Sequence, residues 1–185
     1  MKLREYLKEH RLIADGAMGT YYEKKYTVRS GIAEMENLSC PERIQEIHLD
    51  YIRSGARFIR TNTFACNTTF LGDIEQVKEC IRDGYQAAVS AVEVSGEDVV
   101  IAADIGPIPE MNFEDREGIL QEYQTICDTF LEQGVQCFVF ETQSDFTYIE
   151  PMAAYLKKKA DVFIIAQFAF DKSGYTKSGL GIERM

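Results

Sequence analysis

The sequence is short of several things, and each shortage narrows what the chain does. Basic residues are outnumbered: 20 Lys and Arg stand against 30 Asp and Glu, a net charge of −10. Nucleic-acid and anionic-membrane binding both start from a basic patch, so this balance argues against either. No apolar run approaches the roughly 18–20 residues that a membrane span needs. The amino-terminal MKLREYLKEH is charged throughout and lacks the apolar centre of a signal peptide. Five cysteines, an odd number with no C-x-x-C pair, fit a reducing compartment better than a disulfide framework, so the cytoplasm is the expected location. Of the two histidines, neither His10 nor His48 ends a strand-like run, and both read as surface or packing residues. Neither G-x-G-x-x-G nor G-x-x-x-x-G-K-[ST] occurs, which weakens any nucleotide reading. Low-complexity and linker-like stretches are also missing.

What is there is ordinary globular composition, 45% hydrophobic and 27% charged over 185 residues. That length suits one domain with a real core, or part of a larger one. Strand and helix signals alternate. LIADGAMGT (12–20) reads as a short strand running into a glycine turn. RFIRTNTF (57–64), DVVIAADIGP (98–107), VQCFVFET (135–142) and DVFIIAQFAF (161–170) read as four further strands. Between the first two, Ser39-Cys40-Pro41-Glu42 has the pattern of a capping box opening a helix that ends near Gly55. Ile74, Val77, Ile81, Tyr85, Ala88 and Val92 stripe the next helix, stopped by Gly96. Ile119, Tyr123, Ile126 and Phe130 stripe a third, closed at Gly134. Thr147 and Glu150 suggest a second capping box with Pro151 in the first turn of a fourth.

This alternation means βαβ units and a parallel sheet, and near-continuous apolar strands mean that both faces are covered. Two architectures fit: a complete doubly wound sheet, or a (β/α)₈ barrel of which this chain supplies the first five units. The strand ends favour the second. They carry Asp15, Thr61-Asn62-Thr63, Asp104, Glu141 and Gln167, so all five finish in polar groups. A barrel gathers every carboxyl-terminal strand end around one mouth, whereas a doubly wound sheet concentrates its site at one switch point. The expected fold is therefore α/β, a (β/α)₈ TIM barrel covered over about its first five βα units. The tail GYTKSGLGIERM reads as a loop entering a further helix.

Each motif has two readings. DGAMGT (15–20) places an acid and two glycines after a strand: either its backbone N–H groups form a nest for an anion such as a carboxylate, or it is a tight turn with Asp15 capping a helix. The side chains of TNTF (61–64) bond a ligand or one another. Asp104 joins a site or pairs with a base across the barrel. Glu141 closes the apolar run CFVFE, where an unpaired buried charge is costly. With Asp15 it offers two carboxylates at one mouth, beside a backbone nest, a match to the ammonium and carboxylate of a free amino acid. The alternative is an internal salt bridge, with Arg60 as the partner. Zinc needs three or four convergent ligands. Cys40 opens a helix, Cys80 and Cys127 lie on helices, Cys137 is early in its strand, and only Cys66 stands near the mouth, so no zinc site is complete.

Taken together, DGAMGT (15–20), ENLSCPERIQEIHLDYIRSGARFIRTNTF (36–64), ADIGP (103–107) and VFET (139–142) resemble the homocysteine S-methyltransferase domain. That domain is also the N-terminal module of cobalamin-dependent methionine synthase and of betaine–homocysteine methyltransferase, and some bacteria fuse it to a methylenetetrahydrofolate reductase. The resemblance runs from about residue 10 to the end. It implies a (β/α)₈ barrel in which zinc, held by three cysteines, deprotonates the homocysteine thiol for attack on an activated methyl group, giving methionine. Methylcobalamin, methyltetrahydrofolate, betaine and S-methylmethionine are the donors it implies. Carried over, Asp15 and Glu141 correspond to the acids that hold the homocysteine ammonium. Backbone around Gly16, Ala17 and Met18 corresponds to the carboxylate cradle, and Asn62 and Thr63 line the pocket.

Two departures matter. The family's zinc cysteines follow strands six and eight, so residues 1–185 are expected to be an amino-terminal fragment, inactive alone, with any donor-carrying domain beyond Met185. Arg60 also replaces an acid often found before T-N-T-F. A part-barrel has open edges, from which self-association is expected. The rivals are a self-contained five-stranded α/β module binding a small anion through DGAMGT, and a barrel enzyme holding magnesium through Asp15, Asp104 and Glu141.

Overall fold

A computed structural model describes residues 3–27, 31–109 and 116–184. Helix α1 (Leu3–Glu9) is followed by a bridge-forming segment at Ala14 and by α2 (Met18–Tyr26); a 3₁₀ turn (Ala33–Met35) leads into α3 (Glu36–Ser39) and α4 (Pro41–Arg53). Then come β1 (Phe58–Arg60), α5 (Thr68–Leu71), α6 (Ile74–Ser95), β2 (Val100–Ile105), α7 (Arg116–Glu132), β3 (Cys137–Gln143), α8 (Ile149–Lys159) and β4 (Phe163–Phe168). Strands β1 to β4 form one parallel sheet in sequence order, as successive βαβ units require.

The first expected strand is shorter than its apolar run suggests. It reduces to a parallel bridge between Ala14 and Phe58, flanked by hydrogen bonds from Arg57 N to Ile13 O and from Asp15 N to Phe58 O. It runs along β1 as a barrel's first strand does, but the turn into α2 comes too soon for a longer ladder. In the carboxyl-terminal tail, an antiparallel bridge from Tyr175 to Gly181 precedes a 3₁₀ turn at Ile182–Arg184.

The helix stripes read from the sequence face the core, although Ile74, Tyr85 and Val92 of the α6 stripe are only partly buried against it. Val77, Cys80, Ile81 and Ala88 of α6 are buried, and Asp73 caps the helix by accepting from the N–H groups of Glu75 at 2.9 Å and Gln76 at 3.0 Å. Gly96 ends it at φ +67°. Ile119, Tyr123, Ile126 and Phe130 of α7 are likewise buried.

Neither expected capping box forms. Ser39 is already the last residue of α3, and its hydroxyl donates back to Met35 O at 3.1 Å, leaving Cys40 as the N-cap of α4. At α8 the N-cap is Tyr148 and no side chain caps the helix; Thr147 instead donates its N–H to the Asp145 carboxylate at 2.8 Å, ahead of the first turn. Pro151 does lie in the first turn, where its missing N–H costs nothing.

Side chains alternate along each strand, so the sheet has two separate faces. Ile59, Ala103, Ile105, Phe138 and Phe140 pack under the helices, with Ile81, Tyr123, Phe130 and Leu156 among their neighbours in the clusters on that side. The opposite face begins with an apolar floor of Phe58, Ala102, Cys137 and Val139, closed below by Leu3 and Leu12. Two residues further along β1, β2 and β3, the same face carries Arg60, Asp104 and Glu141. Among the described residues, no helix is long and apolar enough to cross a membrane.

Candidate functional site

The carboxyl-terminal strand ends open into a cavity of about 580 Å³. Asp15, Gly16, Ala17, Met18, Asn62, Thr63 and Glu141, the residues singled out from the sequence, all line it, as do Arg60, Thr61 and Asp104. Gln167 does not; it is exposed on β4. Four of the five polar strand ends therefore converge.

Arg60 is the centre of this cluster. Its Nε donates to Asp15 Oδ1 at 2.9 Å, its backbone N–H to Asp15 Oδ2 at 2.8 Å, its Nη2 to Gly16 O at 3.1 Å, and its Nη1 meets Glu141 Oε2 at 2.7 Å. The internal salt bridge considered for Glu141 is thus present. Burial works against the guanidinium charge, but Asp15 and Glu141 more than offset it, so the Arg60 pKa is raised. Burial also lifts Asp15 above its ordinary value against the pull of Arg60. With a guanidinium and an N–H in contact, we read that carboxylate as ionised at neutral pH.

The regular ladder of β3 ends beside Glu141. The register with β4 shifts between Phe140 and Gln143, and Thr142 takes φ +57°, a left-handed conformation that a β-branched residue adopts only under constraint.

Asp104 is 5% exposed, and its Oδ1 has no hydrogen-bond partner among the described residues. Burial, followed by the charge and hydrogen bonding of Glu141, pushes its pKa well above the carboxylate range. Its main chain is fixed from both sides: its N–H donates to Thr61 Oγ1 at 3.0 Å, and its carbonyl accepts from Thr63 Oγ1 at 2.7 Å. Thr61 and Thr63 also bond each other at 2.6 Å.

Asn62 donates to Ala33 O at 2.9 Å and to Asn37 Oδ1 at 2.8 Å, while Asn37 donates to Asn62 O at 2.7 Å. The Thr61, Asn62 and Thr63 side chains thus bond to one another, to the main chain of Asp104 and to the 33–37 segment. Glu34, from that segment, also lines the cavity; it is 7% exposed and accepts from Ala65 N at 2.9 Å. Nothing in the sequence separated Glu34 from its acidic neighbours.

The DGAMGT turn leads straight into α2. Ala17 is its N-cap and no side chain caps it, so Asp15 serves Arg60 instead of the helix. The first N–H groups of a helix have no partner within it, which leaves those beside Ala17 and Met18 suited to a carboxylate. Gly16 is held close by Tyr51, whose hydroxyl donates to Ala17 O at 2.9 Å; a Cβ on Gly16 would lie 2.9 Å from that hydroxyl oxygen.

The cysteines supply no metal centre, and the described residues include no group of three His, Cys, Asp or Glu side chains able to hold an ion. Cys66, the one cysteine expected near the mouth, turns into the core. Its Sγ lies 3.1 Å from that of Cys80, and burial raises its thiol well above the ordinary range, which makes it inert.

A family model for homocysteine S-methyltransferase matches residues 12–185. The chain belongs to that family. Methionine synthase from Mycobacterium tuberculosis is 24% identical over 164 residues, covering 80% of this chain and 14% of its own length; the Mycobacterium leprae protein of that name is 26% identical over the same span. The chain thus spans about one-seventh of these curated relatives. The crystal structure of the homocysteine methyltransferase MmuM from Escherichia coli, in its metallated form, superposes with a TM-score of 0.79 at 21% identity, over 97% of this chain and 70% of that one. Its apo form gives 0.75 at 24%. At such identities the structural likeness speaks for the fold: the chain has part of the family barrel.

Proposed function

We propose that this chain forms the amino-acid-binding part of a homocysteine S-methyltransferase site, one that takes homocysteine and presents its sulfur to a methyl donor, yielding methionine. The observation that carries this reading is the convergence of Asp15, Asp104 and Glu141 with the start of α2 on one strand-end cavity, in a chain of this family. Carboxylates on one wall receive an ammonium; helix-start N–H groups on the other receive a carboxylate. Together they fix an amino acid by its α-carbon substituents and direct its side chain elsewhere. The donor would be supplied by other parts of a longer protein, with methylcobalamin, methyltetrahydrofolate, betaine and S-methylmethionine as the classes to test.

The described residues do not fit the family's thiolate zinc site, and we derive no step through a metal. The magnesium reading has no support either, because Arg60 occupies both oxygens of Asp15 and one of Glu141.

Calorimetric titration with L-homocysteine, using methionine and homoserine for comparison, tests the proposal. All three are expected to bind, and Glu141→Gln is expected to weaken each by roughly tenfold through loss of a charged hydrogen bond. A folded chain that binds none of them overturns it in favour of a small-anion module.

A further inference from the structure

Asp15 and Glu141 are the carboxylates that the family resemblance offers to a substrate ammonium, yet the chain's own guanidinium already holds them. Asp15 commits both oxygens to Arg60, one to Nε and one to the backbone N–H. Glu141 commits Oε2. An ammonium that displaced Arg60 would leave a guanidinium whose side chain is 16% exposed without its partners, an expensive exchange.

The third carboxyl group is placed differently. Asp104 lines the same cavity, is 5% exposed, and has in Oδ1 a buried acceptor without a partner among the described residues. Buried acceptors are nearly always satisfied, so an unsatisfied one on a carboxyl group that lines a cavity marks where a donor is missing. Its main chain is clamped by Thr61 and Thr63, which fixes the point from which the side chain springs.

We infer that Asp104, together with Glu141, receives the substrate ammonium in this chain, and that Asp15 is the anchor of Arg60 rather than a ligand contact. This rests on the amino-acid reading above. The charges agree with it: one guanidinium faces three carboxyl groups, leaving room for one more cation. The groups facing Asp104 are Asp15 and Arg60 on one side, Glu141 from β3 on the other, and the protonated Cys66 thiol. An ammonium has three N–H donors and can bridge the carboxyl groups of Asp104 and Glu141, which already lie within hydrogen-bonding reach of each other. Because the unliganded Asp104 favours its protonated form, binding the ammonium expels that proton. Specificity follows: the site prefers ligands with an α-ammonium, and the preference lies in Asp104.

The test uses two ligands, L-homocysteine and 4-mercaptobutanoate, which keeps the thiol and carboxylate but lacks the ammonium. With the wild-type chain, homocysteine binds more tightly. In Asp104→Asn, homocysteine is expected to weaken by roughly tenfold to a hundredfold, the range for a hydrogen bond to a charge, with 4-mercaptobutanoate unchanged within about twofold. In Asp15→Asn, which disturbs Arg60, both ligands weaken alike. Equal losses for the two ligands in Asp104→Asn, or unchanged homocysteine binding, overturn the assignment while leaving the amino-acid reading intact. Failure of the wild-type chain to bind either ligand overturns both. Should Asp104→Asn not fold, by circular dichroism, the wild-type chain still decides. Titrations in phosphate and in Tris give the proton released on binding, which is expected for homocysteine and not for 4-mercaptobutanoate; equal counts overturn the assignment.

Discussion

Arg60 and His48 show how single residues constrain this chain. Replacing Arg60 with Met removes the cation from two partly buried carboxylates, and breaking such a pair costs more than the pair contributes. The variant is expected to lose about 2–4 kcal/mol in urea denaturation, with Arg60→Lys intermediate because an ammonium lacks the guanidinium fork. His48 is fully buried and neither ring nitrogen has a partner among the described residues. Burial lowers its pKa from 6.5 to about 4. The unfolded chain therefore takes up a proton below pH 6.5 that the native state refuses, so stability is lost as pH falls from about 6.5 towards 4. At full extent the loss is about 3 kcal/mol. His48→Leu is expected to flatten the upper part of that profile, which denaturation midpoints between pH 7 and 5 will reveal. The sequence made Arg60 visible as a salt-bridge partner, because it stands one step before TNTF among acids at neighbouring strand ends. It could not make the free Asp104 Oδ1 visible, because a missing partner is a fact about three-dimensional neighbours.

The elements were legible where one periodicity decided them. The stripe of α7 is buried and that of α6 faces the core, half of it fully buried, and Asp73 caps α6 through two backbone N–H groups. Asp73→Ala is expected to cost about 1 kcal/mol, read as a shift in thermal midpoint. Legibility failed where two local preferences competed: Ser39 belonged to the preceding helical turn, and the Ala14 run met its glycine turn before a ladder could extend. The bulge in β3 was equally hidden, since Thr142 is a favourable strand residue and its φ of +57° goes with the register shift against β4. Thr142→Gly removes that strain and is expected to raise stability by about 1 kcal/mol in chemical denaturation. Gly84 has the opposite sensitivity. A Cβ there would lie 2.5 Å from Asn37 Nδ2, so Gly84→Ala drives α6 against the Asn37–Asn62 pair and is expected to lose about 1–3 kcal/mol.

At the scale of the molecule, the sheet described runs from the Ala14 bridge to β4, and β4 pairs with β3 on one side only. Ala166 and Gln167 on β4 are exposed. Unpaired strand edges recruit other strands. Sedimentation velocity of this chain is expected to show concentration-dependent association, reduced in Ala166→Lys; a monomer at every concentration sinks the idea.

The floor of the cavity is knitted together across strands: Thr63 to the Asp104 carbonyl, the Asp104 N–H to Thr61, Gly106 N to Phe64 O at 3.1 Å, and Asn62 to Asn37. A Cβ on Gly106 would fall 2.3 Å from that Phe64 oxygen, so adjacent loops touch main chain to main chain. Little conformational freedom is left for a ligand to freeze. The observed rate of binding should therefore rise linearly with ligand concentration, without the plateau that marks a slow rearrangement, and the entropic penalty of capture falls on the ligand alone.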